Sequence, residues 1–242
     1  MKFAEAFNKA VADAKVTTPP TTGGGGGGGG AGGYTAPATT VVPGKDYSDN
    51  SEKEETVSSK SGFTDMADYK WADEAVDYLA DKGIISGTGH NKFNPEGIIT
   101  REQIAKIMVL AMGEFDDAAT AEYADVEKSG WAYKYIASAK QSGLMNGFTD
   151  VQFAPFAPIT REDLAVIIYR AMVKKGEKYE TKKSDFSDFG EISDYASDAV
   201  EYIAGAGIIN GFDDGSFKPK APATRAQAAL LIYKALTGGE GK

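Results

Sequence analysis

Three arginines, Arg101, Arg161 and Arg225, each follow a threonine in the segments ITREQ (99–103), ITRED (159–163) and ATRAQ (223–227). Threonine is a favoured helix N-cap, which puts each arginine at the first helical position. A guanidinium there stands beside unsatisfied backbone N–H groups and the positive end of the helix dipole. That combination suits a carboxylate, which arginine can hold through two parallel hydrogen bonds. The other reading is structural. A cation at a helix N-terminus opposes the dipole, so each arginine could instead pair with a neighbouring acid and fix one part of the chain against another.

Other chemistries find little support. The chain has no Cys and one His, which excludes disulfides, thiolate sites, cysteine nucleophiles and His-pair zinc sites. His90 stands in the turn GTGHNKF, and the corresponding residues further along are Asp150 and Asp214, so it reads as a solvated turn residue. A glycosidase carboxylate pair could be drawn from 35 acids in almost any arrangement, so composition gives no support to hydrolysis. Asp213-Asp214-Gly215 lacks the regular acids and the downstream glutamate of a calcium loop. No catalytic residue, metal or cofactor is expected, and the chain reads as a non-enzyme.

The elements that position the arginines come from an internal repeat, present in three copies. Gly83, Gly87, Phe93, Pro95, Thr100 and Arg101 recur one period later as Gly143, Gly147, Phe153, Pro155, Thr160 and Arg161. A slightly longer step brings them round again as Gly207, Gly211, Phe217, Pro219, Thr224 and Arg225. Ala72, Ala105 and Ala111 keep the same offsets. Each copy opens on aromatic-x-Asp, at Phe63, Tyr123 and Phe186, with Asp65, Asp125 and Asp188 in third place. A first helix follows, predicted over 71–82, 131–141 and 195–206. It ends at Gly83, Gly143 or Gly207, since glycine adopts the left-handed position after a helix without strain. Then come an apolar pair, a second glycine, a turn and Phe-x-Pro. The second helix opens on its threonine, with Gln103, Asp163 or Gln227 three positions on in capping-box register. Apolar stripes at helical spacing (Ala72, Ala75, Val76, Leu79, Ala80; Ile104, Ile107, Met108, Ala111 and their counterparts) must face a shared core. About 50 ordered residues bury little alone. The expected fold is therefore all-α, with three tandem helix-loop-helix repeats, 63–122, 123–185 and 186–242, assembled as a pseudo-threefold bundle.

Upstream the composition changes. Glycine makes up 29 of 242 residues, and 10 of these lie in 23–33. With its Pro- and Thr-rich flanks, 17–62 reads as a disordered tether. Before it, Phe3, Phe7, Val11 and Ala14 give 1–16 a short amphipathic pattern, either the tail of a further domain or a helix that docks elsewhere. That segment lacks the apolar block of a secretory signal, and no 18-residue apolar run exists to span a membrane.

Three units with F-x-D, W-A, G-I-I-x-G, F-x-P and a closing T-R-x-x resemble the S-layer homology domains, a bacterial cell-surface anchoring module. The family's closing motif is typically I-T-R-A-E. Here Thr and Arg are kept three times, while the final acid is Gln103, Asp163 and Gln227. The resemblance implies a three-pronged spindle around a central helical bundle. It also implies non-covalent binding of a secondary cell wall polysaccharide, often carrying pyruvate ketals, in grooves between adjacent units.

On that reading Arg101, Arg161 and Arg225 hold the ketal carboxylate at three equal sites, which would add avidity. Trp71, Trp131 and Tyr195 either stack on sugar rings or pack the seam between units. Gly87, Gly147 and Gly211 either admit ligand close to the backbone or simply turn the chain. Asp65, Asp125 and Asp188 either accept sugar hydroxyls or cap the following helix.

The expected localisation is secreted, at the cell wall, with a cargo protein or domain N-terminal to the tether. The net charge of −9 argues against nucleic acid as partner. Positions 1–62 carry 6 basic and 7 acidic side chains, which leaves 20 and 28 for the repeats, a net −8. An anionic polymer would then be repelled at long range and held only by local contacts. The rival classes are a protein-binding surface scaffold that uses 1–16 and, further off, a carbohydrate-active enzyme.

Overall fold

The computed structural model describes residues 61–179 and 183–238. The amphipathic pattern of 1–16 and the tether of 17–62, except for its last two residues, lie outside them. Six α-helices are present: α1 (Lys70–Asp81), α2 (Arg101–Met112), α3 (Tyr133–Gln141), α4 (Arg161–Lys174), α5 (Asp194–Gly205) and α6 (Arg225–Thr237). Among the described residues no strand forms, and short 3-10 turns at Ala67–Tyr69 and Phe189–Glu191 lead into α1 and α5. The architecture is the expected all-α one of three repeats. Helix starts in the first half of each unit differ from expectation by one or two positions, as frayed ends do.

Local signals account for the helix ends. Gly83, Gly143 and Gly207 follow α1, α3 and α5 at φ 67°, 75° and 72°, a region closed to most side chains. At the start of α6 the capping box is reciprocal: Gln227 N donates to Thr224 Oγ1 and Thr224 N to Gln227 Oε1, each at 3.3 Å. At α4 Thr160 Oγ1 accepts from Asp163 N at 3.2 Å, and an aspartate is too short to complete the return bond.

The helices do not pair within repeats. The first helix of each unit packs on the second helix of the unit before it: α3 on α2, α5 on α4, and, closing the circle, α1 on α6. The pseudo-threefold axis runs between the chain segments that precede α2, α4 and α6. There Ile99 N donates to Ala223 O (3.1 Å), Ala223 N to Ile159 O (2.9 Å), and Ile159 N to Ile99 O (3.1 Å). These three residues are buried, as are Phe93, Phe153 and Phe217 of the Phe-x-Pro loops around them.

Each loop is tied to its own repeat by the aromatic-x-Asp segment. Asp65 accepts from Phe93 N and Asn94 N at 2.8 Å each. Asp125 accepts from Phe153 N and Ala154 N (2.8 and 2.7 Å), and Asp188 from Phe217 N and Lys218 N (2.8 and 2.7 Å). The clamped residues Asn94, Ala154 and Lys218 sit at φ 60°, 58° and 57°. A left-handed residue other than glycine carries a strain that a double charge-assisted bond offsets. The sequence assigns these aspartates to sugar or to the cap of the next helix. In the fold their carboxylate oxygens accept instead from the backbone of the distant Phe-x-Pro loop, one N–H to each oxygen.

Asp125→Ala removes two bonds to a charged acceptor and leaves two loop N–H groups unpaired. It should lower unfolding free energy by about 3 kcal/mol, read from urea denaturation followed by circular dichroism. A change below about 0.5 kcal/mol would show that the clamp is dispensable.

Candidate ligand-binding groove

The N-termini of α2, α4 and α6, where the sequence places an anion, are already occupied. Arg101 N donates to Ala157 O and Glu102 N to Pro155 O, both at 3.0 Å. The same pair of bonds joins Arg161 and Glu162 to Ala221 and Pro219 (3.0 and 3.1 Å), and Arg225 and Ala226 to Gly97 and Pro95 (2.9 and 3.0 Å). The expectation of free N–H groups beside each arginine is therefore corrected. A loop of the next repeat supplies carbonyls to the helix end, and ligand has no access to those donors.

The arginine side chains follow the same route. Nε of Arg101, Arg161 and Arg225 donates to the carbonyl of Phe153, Phe217 and Phe93, at 2.8, 2.7 and 2.8 Å. Each guanidinium carbon also lies 4.6 to 5.1 Å from the centre of that same phenylalanine ring. Arg101 Nη2 donates to Asn146 O and Arg225 Nη2 to Ser86 O. The partners are carbonyls and rings of the neighbouring repeat, where the sequence suggested acids. Carbonyl dipoles offset the cation near the helix end without adding a second charge. Burial lowers the pKa of all three, that of Arg161 to about 10.

The three corners are not equivalent, which corrects the expectation of equal sites. Arg161 and Arg225 are buried, at 6% and 9% exposure. Arg161 Nη1 is engaged by Gln227 Oε1 at 3.3 Å, and the space beside Arg225 is about 10 Å³. At Arg101 the groove opens into a cavity of about 250 Å³, lined by Arg101, Gly147, Phe148, Asp163, Arg170 and Tyr195 among others. These come from all three repeats. Of the expected site residues, the structure brings together Arg101, Gly147 and Tyr195. By the repeat offsets, Trp71 and Trp131 stand to Arg161 and Arg225 as Tyr195 stands to Arg101, and both are half exposed (50% and 55%). Lys106 Nζ lies 5.9 Å from the Trp131 ring.

Gly147 faces the cavity, but its small size has a nearer cause. A Cβ there would collide with the Tyr123 ring and the Gln152 carbonyl. The aromatic of aromatic-x-Asp crosses the second glycine in every repeat, Phe63 over Gly87 and Phe186 over Gly211. Phe148, Val166 and Arg170 are not singled out by the repeat, and Asp163 only as a capping residue, because none of the four recurs in all three copies. For Asp163, Val166 and Arg170 the signal is the helical spacing of 163, 166, 167 and 170, which places them on one face of α4; Phe148, in the loop, has none. His90 is exposed in its turn, at φ 51°.

The seam beside this groove carries charge of its own. Glu162 is buried and forms an ion pair with Lys220 Nζ at 2.6 Å. It also accepts from Ser193 N (3.0 Å) and Ser193 Oγ (3.2 Å). Tyr195 OH donates to Asp163 Oδ1 at 2.8 Å and lies 3.2 Å from Glu162 Oε1. Burial, then the nearby Asp163 and Glu162, push the Tyr195 hydroxyl pKa up, so it stays a donor. In the other repeats Lys220 is replaced by Glu96 and Phe156, so this lock is particular to one seam.

This architecture has a known family. The S-layer homology domain model matches residues 62–105, 122–165 and 185–229, and the chain belongs to that family. It is a cell-surface anchoring module and locates to the cell surface. Relatives include an endoglucanase of Bacillus sp. (strain KSM-635), 30% identical over 74% of this chain and 19% of that protein. Others are the surface-layer 125 kDa protein of Lysinibacillus sphaericus, 30% identical over 69% and 14%, and the cellulosome-anchoring protein of Acetivibrio thermocellus, 29% identical over 61% and 34%. The chain thus spans about a third or less of each, and the catalytic names belong to proteins several times longer. No described helix is long and apolar enough to cross a membrane.

Glu162 gives the groove seam an acid limit. Burial alone would raise its pKa, but Lys220 and Ser193 outweigh burial and hold it below the ordinary value of 4.5. A depressed folded-state pKa contributes stability above the unfolded value, lost as pH falls through the folded one. Lys220→Met leaves burial dominant, so the acid-unfolding midpoint should move to higher pH. The stability loss should be about 1 to 3 kcal/mol at pH 7 and vanish once pH falls below the depressed folded-state pKa of Glu162. Circular dichroism across an acid titration measures both, and an unmoved midpoint would exclude the pair as a stabilising element.

Proposed function

We propose that the three-repeat module anchors a surface protein non-covalently to the cell wall. The ligand is a secondary cell wall polysaccharide bearing carboxylates, such as pyruvate ketals, bound in the grooves between repeats. The observation that supports this is the open cavity at Arg101, where Arg101, Gly147 and Tyr195 arrive from three different repeats. Arg101 Nη1 donates to no described protein atom, so a guanidinium edge remains for a carboxylate. Tyr195 offers a ring for a sugar face, with its hydroxyl fixed on Asp163. The module divides as 63–122, 123–185 and 186–242, and cargo attaches upstream of the tether.

In this reading Arg101 is the principal anion contact. Arg161 and Arg225, with Trp71, Trp131, Gly87 and Gly211, build two tighter corners that serve closure first and ligand second. Asp65, Asp125 and Asp188 act indirectly, by holding the loops whose carbonyls orient the arginines. The net charge of −8 on the repeats, 20 basic against 28 acidic side chains, makes recognition local.

Co-sedimentation with purified wall sacculi, before and after chemical removal of ketals, tests the proposal. Arg101→Ala should reduce binding about tenfold or more with a modest change in Tm. Arg161→Ala and Arg225→Ala should reduce binding mainly through lowered Tm, because the bonds each removes are more deeply buried than those of Arg101. If wild type binds ketal-free sacculi equally well, or if no arginine substitution weakens binding, the anion site is wrong.

Raising NaCl from about 0.15 to about 0.3 M should leave most of the protein on the wall, since short-range contacts are screened little. Elution in that range would point to diffuse electrostatic attraction.

A further inference from the structure

The cavity at Arg101 contains a second guanidinium that neither the repeat motif nor the closure of the ring uses. Arg170 lies on α4 in the same stripe as Asp163, Val166 and Ile167, two turns after Asp163, and it lines the cavity. It is only partly exposed, yet it donates no hydrogen bond and forms no ion pair among the described residues. Arg101, Arg161 and Arg225, by contrast, each have at least two hydrogen-bond acceptors. A partly buried guanidinium without an acceptor costs desolvation free energy that nothing in the fold returns. Burial does lower its pKa, and Asp163 offsets this only from a distance. Asp163 itself is held by the Tyr195 hydroxyl.

We infer that Arg170 is a second anion anchor, which clamps the same ligand carboxylate from the wall opposite Arg101 and makes this groove selective for a single acidic sugar residue. The inference rests on the anchoring reading above and deepens it. Two guanidinium groups face one cavity, and Arg101 has a free Nη1. One carboxylate can accept from both, each oxygen taking one side. With Asp163, the cavity carries a formal charge of +1, which one carboxylate neutralises. A space of about 250 Å³ lies at the low end of small-ligand pockets, on the scale of one sugar residue with its acid group.

Arg170 is also what sets this groove apart. The equivalent positions are Leu110 and Lys234, and those of Asp163 are Gln103 and Gln227. Leucine offers no donor. Lysine provides a point charge without the planar fork that matches a carboxylate. Selectivity for the acid form therefore resides in one groove of the three.

The test uses the full chain, a methyl glycoside of N-acetylhexosamine carrying a 4,6-pyruvate ketal, and the methyl ester of that ketal, compared by calorimetry. Wild type should prefer the acid to the ester. Arg170→Gln should weaken the acid about tenfold or more and leave ester affinity within about twofold, with Tm unchanged or raised, since an unpaired buried charge is removed. Arg170→Lys should fall between. If Arg170→Gln binds the acid as wild type does while Arg101→Gln does not, Arg170 is no anchor and the anchoring reading survives. If wild type binds neither compound, the ketal reading falls and takes this inference with it. Equal losses for acid and ester would assign Arg170 to cavity shape and overturn its role as an anion contact.

Discussion

Backbone hydrogen bonds that pass from each repeat to the next, and from the last to the first, set the terms for everything else in this molecule. A helix N-terminus leaves four N–H groups without intrahelical partners, and three such ends point toward the pseudo-threefold axis. The side chains of Thr160 and Thr224 each satisfy one of them. The remainder are met by carbonyls of the neighbouring Phe-x-Pro loop, and the residues between cap and loop bond in a triangle through Ile99, Ile159 and Ala223. The loops must hold still to act as acceptors, so each is clamped by an aspartate at its left-handed residue and backed by a buried phenylalanine. The T-R motif is thus first a joint between repeats. Its arginine spans the joint by gripping the phenylalanine carbonyl and lying over the ring.

That joint also explains how a binding groove arises without a dedicated element. Where the joint is tight, as at Arg161 and Arg225, the guanidinium is buried. Where α4, the loop of the second repeat and Tyr195 leave room, the same arginine lines an open cavity. The residues that break the repeat gather here: Asp163 for glutamine, Arg170 for leucine or lysine, tyrosine for tryptophan, and Lys220 against Glu162 at the adjoining seam; on the proposed reading specificity rests on them. The symmetric residues make the frame, and the asymmetric ones decide which corner is open.

Much of this is legible in the sequence, but only at short range. Helix existence, the threonine at each N-cap position, the glycines after α1, α3 and α5 and the apolar stripes follow from neighbours within a turn or so and hold in all three copies, although the Thr side chain bonds the helix end only at Thr160 and Thr224. The aspartates mislead because their acceptor role reaches across most of a helix and its loop, to backbone that carries no side-chain signature. The arginines are rightly placed at the first helical position and wrongly credited with free N–H groups. The carbonyls that fill those sites belong to another repeat, and the order of repeats around the axis is not written in any one of them. Arg170 escapes notice for the opposite reason: a search for what recurs passes over what occurs once.

The pairing of α1 with α6 bears on how the module carries load. A pull through the chain that enters ahead of the first repeat reaches α1 first, and α1 is held laterally by the last helix of the third repeat. The Tyr78 and Tyr233 rings meet edge to face at 5.1 Å across that contact, and Tyr233 OH donates to Glu74 Oε1 at 2.7 Å. Peeling the first repeat away would mean shearing this contact and breaking the axial triangle, so tension is shared around the ring instead of unzipping one repeat after another. For a cell-surface anchoring module, resistance to tension is thereby built into the closure itself.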